Sequence, residues 1–347
     1  MTGARPVIGI VGNDVPRQLV LAGGAIPHRL TGSWSGPIDP EARDLLGAAD
    51  AVAARILTEV RAGRAQCDAL VVCADSQAHV RLFSVLRATS PDLPLHLLDL
   101  PRSASAAARR FARFQLARLA TFVSDVTGQV IDVPALASAA RTERELGDAL
   151  RRLRERRRAV PSRCLGSVAL QAYLDASRLD PATAAARIDQ AQSEVPAGAV
   201  RVHATGSNHP DAAAYRVLEE QGCTVVSEDH DTGDQAWLGV AVDGIDVDET
   251  IERLIDAHFD RIGAPPVASS AARAGLTRDE ATASGAEVVA GLIRELDEAP
   301  AWDIPDQAAL LGERGVALRL RTRVRPGDEL QAAGDLAREI TEGAASR

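Results

Sequence analysis

CDALVVCADS, residues 67–76, contains the five-residue run Ala69–Cys73, unbroken in apolar character and rich in valine. A run this short and β-branched reads as a strand, and one apolar on both sides belongs inside a parallel sheet covered on both faces. Asp75-Ser76 follows, residue types that cap a helix N-terminus, and helical spacing continues from there to about Ala88. The unit is strand, short loop, helix, and it repeats in both directions along the chain.

Upstream, Val7–Val11 (VIGIV) is a strand that ends in Gly12-Asn13-Asp14. Pro16 suits the first turn of a short helix, since its missing N–H costs nothing there, and Gly23-Gly24 closes that helix before Ala25–Leu30 resumes an extended path. Downstream, Leu95–Leu98 is a third buried run, ending at Asp99-Leu100-Pro101. From Ser103 to about Arg158 the spacing becomes helical: Phe111, Phe114, Leu116, Leu119 and Val123 can share a face, and a second helix begins after Pro134. RRLRERRR, Arg151–Arg158, reads as the solvated end of that helix.

After Pro161 comes another helical stretch, and at Val200 the strand–loop–helix logic restarts. Val200–Ala204 is a strand, Thr205-Gly206-Ser207 a turn, and Asp211–Gln221 a helix stopped by Gly222. Cys223–Val226 is the next strand, Val288–Ile293 is either a strand or a helix end, a helix follows Pro305, and Val316–Leu320 is the last strand. The expected fold is α/β: two tandem Rossmann-like or flavodoxin-like domains, 1–160 and 161–347, with parallel sheets flanked by helices and a helical linker.

Composition narrows the function. The chain has a formal net charge of -9, and all its basic residues are arginine. Without a clustered cationic excess, a nucleic-acid surface is not expected. No segment approaches the roughly 20 apolar residues of a membrane helix, and the N-terminal run stops at Gly12 without signal-peptide flanks. A cytoplasmic protein is expected, its four cysteines kept as thiols.

Ligands of open α/β sheets bind beyond the carboxyl ends of the strands. That rule selects the loops Gly12–Pro16, Cys73–Gln77, Asp99–Arg102 and Thr205–His209. Thr205-Gly206-Ser207 stands before a helix, where backbone N–H groups can meet an anion. GIVGN, Gly9–Asn13, is a loose echo of a dinucleotide turn and leaves a nucleotide-dependent enzyme as a further class. Cys67 and Cys73 lie about 20 Å apart along one strand, too far to share a metal. Cys67 and Cys223 stand at amino ends of strands, Cys164 lies among the linker helices, and Cys73 is expected to face the crevice. The histidines show no zinc-type spacing; His209 draws attention from its turn, and the acidic loop Glu228–Asp234 (EDHDTGD) reads as solvated.

The order of AGGAIPHRL (Ala22–Leu30), CDALVVCADS, LLDLPR (Leu97–Arg102), ATGSNHPD (Ala204–Asp211), EEQGCTVVSED (Glu219–Asp229) and WDIPDQAALLGERGVALRL (Trp302–Leu320) resembles the 2-hydroxyacyl-CoA dehydratase and benzoyl-CoA reductase subunits. The resemblance implies two similar α/β domains, a heterodimer with a homologous cluster-bearing subunit, and a [4Fe-4S] cluster on cysteines between the domains. It also implies a separate ATP-dependent activator that delivers a low-potential electron for ketyl-radical chemistry on an acyl-CoA thioester. Cys73 is then the single candidate cluster ligand, and Arg29, Arg102, Ser76 and Ser207 are candidate substrate-binding residues, with Arg17 also near the crevice. The family's cluster cysteine stands directly before the Asp-Ser pair, where this chain has Ala74. No cysteine occurs between Asp39 and Arg64 or near Trp302 either, which opens the alternative of a cluster-less homologue acting as scaffold or acyl-CoA-binding partner.

Overall fold

The computed structural model of the protein describes residues 4–261 and 268–345. The first half builds β1 (Val7–Val11), α1 (Arg17–Ala22), β2 (Ile26–Arg29), α2 (Pro40–Leu46), α3 (Ala51–Arg61), β3 (Ala69–Cys73), α4 (Gln77–Thr89) and β4 (Leu95–Leu98). The long helices α5 (Ala106–Thr127) and α6 (Val133–Arg158) follow, then α7 (Gly166–Ala176) and α8 (Pro181–Gln190). The second half builds β5 (Val200–Gly206), α9 (Ala213–Glu220), β6 (Cys223–Glu228), α10 (Val247–Phe259), α11 (Ser270–Ala283), β7 (Val288–Arg294), α12 (Ile304–Gly312), β8 (Ala317–Val324) and α13 (Glu329–Ala345).

All strand pairs are parallel, in the orders β2-β1-β3-β4 and β6-β5-β7-β8. The two orders are the same pattern, so the fold is α/β with two parallel four-stranded sheets flanked by helices, one per lobe. The ambiguous Val288–Arg294 segment is a strand beside β5. Its neighbours on both sides are strands, so its backbone groups find ladder partners there, and all its residues but the last are buried.

Side-chain parity divides β3 between two cores. Leu70 and Val72 pack into a large core that also holds Val202, Val225 and Leu292 of the second sheet. Ala69, Val71 and Cys73 point the other way, into the core under α1 and α5 with Ile8 and Ile10.

Several expectations need correction. On α5 the buried stripe is Ala112, Leu116, Leu119 and Val123, whereas Phe111 and Phe114 are exposed; the helix is rotated so that Ala112 and the aliphatic residues, not the phenylalanines, meet the core under the sheet. The basic run at the end of α6 is solvated only in part: Arg151 and Arg152 are exposed, whereas Arg157 is 0% exposed. The acidic loop is not solvated: Glu228, Asp229, His230, Asp231 and Asp234 are all buried. The two segments neutralise each other. Arg157 donates to Glu228 at 2.7 Å and to Asp234 at 2.8 Å, while Arg154 and Arg158 reach the same Asp234. The second half also packs against the first: Ile251, Leu254 and Ile255 of α10 join the first sheet's core. Arg109 and Arg113 of α5 pair with Asp256 and Glu252 of that helix. Among the described residues no helix is long and apolar enough to cross a membrane.

Candidate functional site

The two sheets turn their carboxyl ends toward a shared cleft of about 660 Å³. Its walls come from the loops after β3 (Ala74–Ser76), β4 (Arg102), β5 (Gly206, Asn208), β6 (His230, Asp231) and β7 (Leu296, Asp297), with the start of α3 and α4. This is where the topology rule for open α/β sheets puts a ligand. A second depression, between β8 and α13, lies on the outer surface, where Arg319 and Arg321 share Glu339.

The walls are fastened across the lobes. Arg29, at the end of β2, donates from Nη2 to Asp231 Oδ2 at 2.8 Å, and Asn208 donates to the same carboxylate at 2.9 Å. Burial pushes the Asp231 carboxyl up, yet the Arg29 charge together with the hydrogen bonds from Asn208 and Arg29 outweighs it, and the pKa ends below the usual range. Arg294 reaches Asp50, the N-cap of α3, at 2.8 Å, and lies over the Trp34 ring. Asn13 donates to the Gln235 carbonyl at 2.9 Å and accepts from the Trp237 N–H at 2.9 Å.

At the inner end stands a carboxylate–imidazole pair. Asp75 is buried, and its Oδ2 accepts the Asn13 N–H at 2.8 Å. The chain comes this close because residue 12 is glycine: at φ +99° a Cβ there would lie 2.5 Å from Asp75 Oδ2. Oδ1 of Asp75 meets His79 Nδ1 at 2.5 Å. Ser76 caps α4 by accepting the His79 backbone N–H at 3.1 Å, which sets the ring one turn above the carboxylate. Burial disfavours the charged imidazole, but Asp75 outweighs it by charge and hydrogen bond, so the His79 pKa is raised. Arg102 donates to the Asp75 carbonyl at 3.1 Å.

Of the four expected binding residues, Ser76 and Arg102 line the cleft. Arg29 is buried and holds Asp231. Ser207 is buried too, donating to Asp297 at 2.6 Å and accepting from the Arg294 N–H at 3.0 Å. Arg17 is taken up by Glu143 and the Ala176 carbonyl. His209 is sealed under Trp34, with ring centroids 4.9 Å apart, and burial drives its pKa well down. The sequence reading passed over His79, Asp75, Asp50 and Arg294. For the first two a signal was present: an acidic residue and a histidine four apart across a helix start share one face.

Cys73 is fully buried and forms part of the core under α5, not of the cleft wall. Its Sγ accepts the Asp14 N–H at 3.4 Å; burial, with Asp75 and Asp14 nearby, holds the thiol well above its ordinary pKa. A [4Fe-4S] cluster requires several thiolates converging on one point. The residues present do not fit one here. Cys67 is at the opposite end of β3, Cys164 sits in the core between α6 and α7, and Cys223 begins β6. At the wall itself the side chain is Ala74.

No curated protein matches the chain. A family model does, over residues 13–293, and its description is 2-hydroxyglutaryl-CoA dehydratase, D-component. The matched span runs from the loop after β1 through nearly all of β7 and takes in every loop that lines the cleft as far as Ile293. By its matched span, its duplicated α/β architecture and its interlobe cleft, the chain belongs to the 2-hydroxyglutaryl-CoA dehydratase D-component family.

Proposed function

We propose that the chain is the acyl-CoA-binding subunit of a 2-hydroxyacyl-CoA dehydratase-type assembly in the cytoplasm, paired with a homologous subunit that carries the cluster. In this reading an ATP-dependent activator serves the partner, whose cluster would supply the low-potential electron for ketyl-radical dehydration, or for a benzoyl-CoA reductase-type reduction. The observation that carries it is the wall position before Asp75-Ser76. Alanine occupies it, and the adjacent thiol faces the opposite core. The cleft keeps what thioester binding requires: a cavity of about 660 Å³, with Arg81 and Arg102 on its walls. Arginine suits phosphate and carboxylate groups through paired N–H donors.

Two measurements test the proposal. Iron and sulfide assays on the anaerobically purified chain are expected to find no stoichiometric cluster, while the co-expressed heterodimer contains one. A stoichiometric cluster in the isolated chain would return the radical step to this subunit. Calorimetry with an acyl-CoA is expected to give one site, weakened about 10-fold or more by Arg102→Ala, the scale of one lost charged hydrogen bond. Absence of binding to both the chain and the heterodimer refutes the thioester reading.

A further inference from the structure

One constellation in the cleft is not needed for binding alone. Asp75 is buried and His79 is half-buried, and their contact uses the ring's Nδ1. A neutral imidazole with Nδ1–H on a carboxylate keeps its lone pair on Nε2. His79 lines the cleft, and its side chain is 22% exposed against 2% for Asp75, so the ring's open edge is the one away from the carboxylate. Asp75 is itself fixed by the Asn13 N–H and by the close approach that Gly12 allows. A base with an orienting carboxylate behind it is the arrangement general-base catalysis requires.

The charged neighbours come from four elements. Asp75 lies in the loop after β3, Asp231 in the loop after β6, Arg29 at the end of β2, and Arg102 in the loop after β4. Asp231 is already held by Arg29, which leaves Asp75 as the carboxylate in contact with the ring. Next to His79, the cleft is lined by Ser76, Gln77 and Ala78, the cap and first turn of α4. The amides of such a turn have no acceptor within their own helix and suit a developing oxyanion.

We propose that His79, oriented by Asp75, is a general base that exchanges the α-proton of an acyl thioester bound in the cleft. The Cα–H bond breaks and its proton forms Nε2–H. The electron pair moves into the thioester carbonyl to give the enolate, which faces the first turn of α4, and the reverse step returns a proton to carbon. No electron acceptor or donor takes part. The inference rests on the thioester reading above and adds to it a chemical activity of this chain's own.

The test follows butyryl-CoA with the purified chain in D2O by proton NMR, beside calorimetry of its thioether analogue, which binds but has no acidic α-proton. Deuterium is expected to enter the α-position well above the buffer rate, with a pH profile that rises through an inflection above 6.5, the ordinary histidine value. His79→Gln is expected to lower exchange about 100-fold while the thioether still binds. Asp75→Asn should move the inflection downward. Thioether binding without exchange, or full exchange in His79→Gln, overturns the base assignment and leaves the thioester reading standing. Failure of the thioether to bind the chain and the heterodimer alike overturns both.

Discussion

Gly12 and Gly206 end the first strand of their respective sheets, with φ of +99° and +100°, and each lets a neighbouring group approach closely. A Cβ on Gly12 would press on Asp75 Oδ2, and one on Gly206 would lie 2.7 Å from the Leu292 carbonyl. Gly12→Ala and Gly206→Ala should each cost about 1–3 kcal/mol in chemical denaturation, the range for a side chain forced into that backbone region. Gly12→Ala should also displace Asp75, so its loss of α-proton exchange should exceed its loss of stability. At this scale the sequence was partly legible. Turn glycines and the Asp-Ser cap can be read directly, because each acts through local geometry. The direction of Cys73 was also available, since parity puts it with Ala69 and Val71, but which face of β3 meets the cleft depends on contacts far along the chain.

Among the elements, α5 shows how periodicity can identify a helix and still misjudge its rotation. Apolar residues at 111 and 114 fit the same period as the true stripe, and only packing against α10 and the first sheet chooses between them. Leu116→Ala is expected to destabilise by about 2–5 kcal/mol, and Phe114→Ala, at a residue 57% exposed, by far less, as thermal and denaturant melts will distinguish. The basic end of α6 and the acidic loop after β6 each looked solvated because each was weighed alone. Their partnership spans about seventy residues, and no local pattern announces it. Burial raises the Asp234 carboxyl, but Arg157, Arg154 and Arg158 outweigh burial and hold it far below the carboxylate range. With the folded pKa depressed, its contribution is complete above about pH 4 and disappears as pH falls below that. Asp229 and Asp231 are also lowered and act in the same direction. Asp14 acts oppositely: burial and Asp75 push it up to about 6, so what it contributes below about pH 4 is lost as pH rises toward 6. Asp234→Asn should therefore lower stability at neutral pH by about 3–5 kcal/mol and flatten the acid limb of a stability-against-pH curve.

For the whole molecule, the alternation of strands and helices was enough to foresee two parallel sheets, because an unbroken apolar strand needs cover on both faces whatever its neighbours are. The interleaving of the lobes was not legible. α10 returns to the first sheet, and one core runs through both sheets. A fragment of residues 1–160 would leave that first-sheet core without Trp237, Ile251, Leu254 and Ile255. It is expected to be poorly soluble or to lack a cooperative transition, while the intact chain melts in one step by calorimetry; a stable, monomeric fragment with its own sharp transition would show the lobes to be separable.

The bridges Arg29–Asp231 and Arg294–Asp50 hold the cleft walls at a fixed separation before any guest arrives. A ligand then meets a finished mould and gives up little affinity to reshape it. Trp302 stands 74% exposed at the rim, and severing Arg294 from Asp50 should weaken binding by letting the mould sag.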